Sequence, residues 1–367
     1  MSRTLTVVHN NIDDRSSIGS IAAWAVRAGL ERGWAVSVVC RDLDPALAPE
    51  VAHRPLYVPP RAHLLQWSVA RPTVRAALRG HRPDALLVYQ PQLAAIADVW
   101  HAEYLSRAAR QARGPRARGW RAAATDAQAA GVAALEDRYL RRLPPHVRVL
   151  FCSAGLREQF TELYGEPPHS GVLHNPALLQ TESRPDHARR AALTGGHRGP
   201  VVGFLGGGDR RKGGDLVLAA LAREPELFLV HAGPSELVAD DPALTGRTRS
   251  MGHLRDVTDL LDVVDVLLVP SRFEPFGIVV AEAAARGVPT LVGPRVGAAP
   301  LVVETGAGAV WSPEEPLGPA VARVLADRAK VAAGARELVR RVNPRLLADQ
   351  LFAALDAAAE RKQASRS

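Results

Sequence analysis

The 367-residue chain is nearly without lysine: of its 46 basic residues only Lys212, Lys330 and Lys362 are lysine, and the rest are arginine. Arginine beside abundant alanine is the coding bias of a GC-rich bacterial genome, so a lysine kept inside a motif is informative. Cysteine is almost absent. Cys40 and Cys152 lie far apart, which excludes a disulfide framework and fits a reduced cytoplasmic protein. Aromatic residues make up 5% of the chain, and no zinc-finger, RNP or basic-zipper pattern is present. A net charge of +8 therefore does not make this a nucleic-acid binder. No apolar run approaches the roughly 18–20 residues needed to span a bilayer. Arg3 leads directly into a strand-like run, and no signal peptide is read there.

What is present is the punctuation of an α/β protein long enough for two domains. The basic excess is uneven. Residues 1–183 hold 22 arginines and 16 acids, whereas 184–367 hold 24 basic residues and 22 acids. Two stretches of the first half carry arginine without acid, Arg54–Arg82 and Arg107–Arg121. Leu64–Leu78 mixes Leu65, Trp67, Val69 and Val74 with Arg71 and Arg75, which reads either as a basic amphipathic surface for anionic lipid or as a solvated helix face. Arg107–Arg121 reads as a mobile electropositive loop.

The most informative stretch is Val266–Gly293, VLLVPSRFEPFGIVVAEAAARGVPTLVG. It reads as strand, polar loop, helix and strand, with the helix opening at Ile278 after Gly277. Glu274 lies in the loop and Glu282 just over one turn into the helix. Between them is a helix N-terminus, whose unpaired N–H groups and positive dipole end favour an anion. A ligand with a diphosphate between two polyols, as in a nucleotide sugar, matches that order of groups.

Other signals fall around this stretch. Leu5–His9 and Ala35–Cys40 flank a helix read as Ser20–Glu31, with Gly19 at its entrance. His101 follows a short apolar run. Thr181–Pro200 loses apolar periodicity and reads as a linker. Pro200–Leu205 opens a second βαβ series, and the loop GGGDRRKGG (206–214) carries Arg210, Arg211 and Lys212 among glycines, suited to a diphosphate although not a Walker A loop. Leu346–Ala358 reads as a last helix with a frayed tail after it.

In this order the motifs resemble those of GT4-like retaining glycosyltransferases of the GT-B fold, glycosyl transferases group 1. PSRFEPFGIVVAEAAARGVPTLVG resembles their sugar-nucleotide signature, FLGGGDRRKGGDLVLAALA their cationic diphosphate loop, and VLFCSAGLREQFTELYG with VLHNP the end of their acceptor domain. The resemblance implies an α/β chain of two Rossmann-like α/β/α domains facing across a cleft. The acceptor side would be 1–180, the linker 181–199, the donor domain 200–343, and 344–367 a helix crossing back. It also implies roles. Glu274 would bind donor-sugar hydroxyls, with main-chain N–H groups of Phe276 and Gly277 and the helix start at Ile278. Glu282 would bind the ribose, and Lys212 with Arg210 or Arg211 would neutralise the diphosphate. Gly19 would admit the donor to the first loop, His101 would contact the transferred sugar, and His253 and Leu254 would meet the base.

The family commonly has an arginine five residues before the lysine, where this chain has Gly207. It also has a later Pro-Glu, where this chain reads VGAAPLVVE and Glu304 is displaced. The implied reaction is retaining transfer from a UDP- or GDP-type donor to an unidentified acceptor by front-face attack, the departing phosphate taking the proton. No cofactor or metal is expected: Asp13-Asp14 and Asp240-Asp241 are each a lone acidic pair in a polar loop. Peripheral contact with the inner face of the membrane and no nucleic-acid partner complete the expectation. A non-catalytic nucleotide-sugar-binding partner of another transferase, or a nucleotide-sugar epimerase on the same fold, are the alternatives.

Overall fold

In the computed structural model residues 2–14, 17–57, 63–114, 120–178, 185–207, 209–233, 237 and 241–365 are described. The chain divides into unit 1, made of 1–111, 115–175 and 344–367, and unit 2, made of 112–114 and 176–343.

The strands of unit 1 are β1 (Thr4–Val8), β2 (Asn11–Ile12), β3 (Ala35–Cys40), β4 (Asp42–Leu43), β5 (Ala52–Pro55), β6 (Ala85–Val88), β7 (Val99–Ala102), β8 (Arg148–Phe151) and β9 (Ser170–Val172). All but β2 and β4, which pair apart, form one sheet in the order β5-β3-β1-β6-β7-β8-β9. Its pairings are parallel, with Val7 opposite Val38 on one side and Leu87 on the other. A parallel sheet is covered on both faces, so its strands read as unbroken apolar runs; β6 is buried at all four positions. The helices between them are α1 (Ser17–Glu31), α2 (His63–Ala77), α3 (Ser106–Arg113), α4 (Trp120–Leu140) and α5 (Ala154–Tyr164).

Unit 2 repeats the plan. Its strands are β10 (Val201–Leu205), β11 (Phe228–Ala232), β12 (Thr248–Ser250), β13 (Val266–Val269), β14 (Thr290–Val292) and β15 (Gly308–Val310), in the parallel order β12-β11-β10-β13-β14-β15. Its helices are α6 (His187–Thr194), α7 (Gly214–Leu221), α8 (Thr258–Leu261), α9 (Ile278–Ala285), α10 (Ala299–Thr305), α11 (Leu317–Ala326) and α12 (Arg328–Arg341). Phe204, Leu229, Leu268, Leu291 and Trp311 gather in one core beneath α7 and α11. The sheet runs outward from β10 through β11 to β12, then restarts on the other side of β10 with β13. That reversal is a topological switch point, where open parallel sheets bind ligands at their carboxyl ends.

After unit 2 the chain returns to unit 1 as α13 (Pro344–Ala364). Its residues Leu347, Leu351, Phe352 and Leu355 are buried, and Phe352 meets the Trp34 ring edge-on at 5.6 Å. Among the described residues no helix is long and apolar enough to cross a membrane.

Several local readings change. Gly19 is the third residue of α1 and buried, because the helix starts at Ser17, three residues before the expected Ser20. Of the expected linker, 181–184 lie outside the described residues, but 187–194 are a helix. Asp186 caps it by accepting from Arg189 N at 2.9 Å, and Arg190 ties it to Asp265 at 2.7 Å. Of the expected loop 107–121, residues 115–119 lie outside the described ones, whereas 107–113 are helical. The buried Glu136 carboxylate, some thirty positions along the chain, accepts from Ser106 N at 2.7 Å and Arg107 N at 3.0 Å and so caps α3. The tail is helical to Ala364, and Lys362 Nζ donates to Asp98 Oδ2 at 2.5 Å.

Candidate active site

The loops after β10 and β13 leave adjacent strands at the switch point of unit 2. After β10, Arg210–Lys212 form one 3-10 turn, with Asp209 accepting from Arg211 N at 3.0 Å. Gly213 then turns through the left-handed region at φ +80° and opens α7. A Cβ built there would lie 2.4 Å from Pro270 O, so this contact with the β13 loop requires glycine. Gly208 of the cationic loop lies outside the described residues.

The second loop is bound to the first by three residues. Arg272 donates through its main chain to Arg211 O at 2.8 Å and through its side chain to Arg210 O at 2.7 Å. Its guanidinium also grips Asp215 of α7 with two bonds, at 2.6 and 2.8 Å. Arg211 donates to Phe273 O at 3.0 Å and reaches Glu274 Oε2 at 3.4 Å. Lys212 Nζ donates to the same oxygen at 2.6 Å. Lys212, Arg211 and Glu274 therefore converge, whereas the Arg210 side chain is exposed.

Beyond Glu274 the chain passes through Phe276 to Gly277, which caps α9 at φ +93°, with Ile278 as the first helical residue. The 296–298 segment is held against this loop by main-chain bonds, Gly297 N to Glu274 O and Ala298 N to Phe276 O, both at 2.8 Å. Glu304, the acid displaced from the usual pattern, is exposed and paired with Arg341 at 2.8 Å. Glu282 is half-buried in the second turn of α9. Burial first and then the neighbouring Asp256 raise its carboxyl to about 7. His253 and Leu254 follow β12 at the sheet edge, His253 exposed and Leu254 half-buried; Gly233 N donates to Gly252 O at 2.9 Å just before them.

Residues 188–340 match the family model described as glycosyl transferases group 1. This stretch, most of unit 2, is similar to a glycosyl transferases group 1 domain. Among relatives of this domain, a glycogen synthase of Mycobacterium tuberculosis (strain CDC 1551 / Oshkosh) is 30% identical over 213 residues, 53% of this chain and 49% of that protein. The aligned part thus spans about half the length of that curated relative. Solved structures match along nearly the whole chain. WaaG, a glycosyltransferase involved in lipopolysaccharide biosynthesis, gives a TM-score of 0.71 at 19% identity, covering 97% of this chain and 98% of that one. HepE of Anabaena, in complex with UDP and glucose, gives 0.66 at 17%, covering 97% and 100%. The fold is GT-B, as the motifs imply, with the group 1 match in unit 2.

The sequence-derived residues of unit 1 are placed differently. His101 lies inside β7 and is fully buried, with Nε2 on Leu173 O at 3.0 Å, so it presents no surface to a ligand in this structure. Its neighbour Glu103 is also buried, and sequence reasoning missed it; a carboxylate two residues from a histidine carries no signal until the turn after β9 is brought beside it. Of the basic stretch Arg54–Arg82, residues 58–62 lie outside the described ones. Within the rest, Arg54 donates to Ala77 O at 3.1 Å, and Arg71 donates to Gln92 O at 2.6 Å over the Tyr139 ring. Two of its charges are thus turned inward, while Leu64 and Leu65 are exposed. Asp14 pairs with Arg27 at 3.0 Å, Asp241 accepts from Ala243 N at 2.9 Å, and Asp240 lies outside the described residues. Among the described residues no three His, Cys, Asp or Glu side chains group as metal ligands.

Proposed function

We propose that the chain transfers a sugar from a nucleoside diphosphate sugar to an acceptor with retention of configuration. The observation that carries this reading is the convergence of Lys212 and Arg211 on Glu274 at the start of α9, beside the switch point of unit 2. In the proposal Lys212, Arg211 and the α9 N-terminus face the diphosphate and supply the positive charge that a departing nucleotide requires, with no metal. Arg211 takes the place of the arginine missing at Gly207. Glu274, relieved of Lys212 by the diphosphate, accepts from sugar hydroxyls, and Glu282 accepts from the ribose. Attack from the face of departure, with the leaving phosphate taking the acceptor proton, needs no enzymic nucleophile. The buried Glu103, already bound by Asn175, does not have the exposure of one.

The complex of HepE with UDP and glucose makes uridine nucleotides the first donors to try. Donor consumption and the anomeric configuration of the product, followed by NMR, test the reading. Lys212→Ala and Glu274→Ala should each lower turnover by about 100-fold or more while the chain stays folded. Nucleotide binding with no consumption in any acceptor fraction would replace it with the non-catalytic reading, and isomerised donor without acceptor with the epimerase. We place the protein in the cytoplasm, with peripheral contact to anionic membrane through the exposed Leu64 and Leu65 of α2. Absence of flotation with anionic vesicles at low salt would return α2 to plain solvated surface.

A further inference from the structure

Two buried polar atoms that lack partners face each other in unit 1. His101 Nδ1 and Glu103 Oε1 are 3.2 Å apart, and neither has a hydrogen-bond partner among the described residues. Such atoms are rare in a folded interior and call for a physical cause. The remaining atoms of both groups are committed. His101 Nε2 is 3.0 Å from Leu173 O, and since a carbonyl only accepts, Nε2 carries hydrogen. Asn175 Nδ2 donates to Glu103 Oε2 at 2.8 Å, so that oxygen acts as an acceptor. What is left is a lone pair on Nδ1 opposite a lone pair on Oε1, in a place closed to water. Bare, the two would repel and leave a carboxylate uncompensated. One proton between them removes both costs, whether it is drawn as imidazolium with carboxylate or as imidazole with carboxylic acid.

We propose that His101 and Glu103 hold one proton in common, and that Glu103 is thereby a positioning residue for unit 1. The pair joins two motifs that stand apart in the sequence, HAEYL (101–105) and LHNP (173–176). His101 binds the main chain of Leu173, Glu103 binds Asn175, and His174 between them is held with Nδ1 3.1 Å from Cys152 O. The surroundings are matched to a pair without net charge. The Tyr89 ring meets His101 edge-on at 5.5 Å, and His9 meets Tyr89 at 6.0 Å. Burial and then the Glu103 charge raise Tyr89 and keep it protonated, while burial lowers His9 and keeps it neutral, against smaller opposing pulls from the Asn11 backbone and from Asp13. Burial likewise raises Glu103, opposed by His101 and Asn175. Any effect on turnover rests on the glycosyltransferase reading; the proton assignment does not.

The test is imidazole ¹⁵N NMR of the full chain at neutral pH, with His101 assigned by its loss in His101→Gln. In the native protein His101 should show Nδ1 at least partly protonated. Glu103→Gln keeps the shape, and with its oxygen accepting from Asn175 Nδ2 its amide nitrogen donates to His101 Nδ1, so Nδ1 should move to the lone-pair range while His101 Nε2 stays protonated. Identical His101 spectra in the native chain and Glu103→Gln would overturn the shared proton. Turnover of a nucleotide sugar should fall by about tenfold or more in Glu103→Gln, the scale of other orienting partners of histidine, at unchanged nucleotide affinity. Unchanged turnover would overturn the positioning role, and a chain that consumes no donor still has its proton assignment decided by the spectra.

Discussion

Lys212 Nζ donates to Glu274 Oε2 at 2.6 Å, with the Arg211 guanidinium 3.4 Å from the same oxygen. One carboxylate oxygen thus holds both cations that the proposed reaction needs for a diphosphate. Two positive charges on one acceptor are an arrangement that an incoming anion can divide. Binding would exchange a carboxylate for a diphosphate and release Glu274 toward hydroxyls.

This makes Glu274 a competitor of the nucleotide as well as a ligand of the sugar. Glu274→Gln should bind UDP alone several-fold more tightly than the native chain, because Lys212 no longer has to leave an ion pair. It should also lose the added affinity that the glucose moiety brings. Calorimetry with UDP and UDP-glucose separates the two effects, and weaker UDP binding by the variant would contradict the competition.

Arg272 should matter without touching a ligand. Its two bonds to Asp215 and one to Arg210 O hold the cationic turn against the β13 loop. Arg272→Ala should cost about 1 kcal/mol of stability, since the pair is partly exposed. Hydrogen exchange should rise at the amides of 211–213 and not at those of α11, which lies elsewhere in the unit.

Glu282 gives the site a pH dependence with a definite sign. Its carboxyl, raised to about 7 in the folded chain, is largely protonated at pH 6 and ionised at pH 8. Hydroxyl donors prefer the ionised form, so nucleotide affinity should rise from pH 6 to pH 8, and Glu282→Gln should flatten the rise. Stability runs the other way. A folded-state value above the unfolded one favours the fold at low pH, and that contribution is lost as pH rises from about 4.5 through about 7. Glu282→Gln should therefore gain melting temperature relative to the native chain at pH 8 and not at pH 4.

Gly213→Ala meets two obstacles, a left-handed φ of +80° and a Cβ 2.4 Å from Pro270 O. The neighbouring atom is backbone and cannot swing aside. A loss of about 2 kcal/mol or more is expected in denaturant melts, together with loss of nucleotide binding.

The strands around the switch point were legible because buried parallel strands are written as local apolar runs, whereas their order in the sheet was not. Val266–Val269, Gly277 and Thr290–Val292 each announce themselves within a few residues. Which of the Arg210 and Arg211 side chains turns inward was not legible. It depends on Phe273 O and on Asp209, which fix the turn and send one guanidinium inward. Helix α3 looked like a loop because its cap is supplied by Glu136 from another helix, and α6 looked like linker because Asp265, far along the chain, anchors it. Gly19 reads as a helix entrance, whereas α1 already begins at Ser17. The sequence marks His101 through its place after a short apolar run and its resemblance to a sugar-contacting histidine; its partners Glu103, Leu173 and Asn175 come from two strand ends, and only the sheet order brings them together.

The return of α13 to unit 1 has a consequence during synthesis. Leu351, Phe352 and Leu355 close the layer over β6 and α1, yet they are translated after every residue of unit 2. A chain growing on the ribosome can finish the later unit first, while the earlier one waits with an apolar flank uncovered until the last turns emerge.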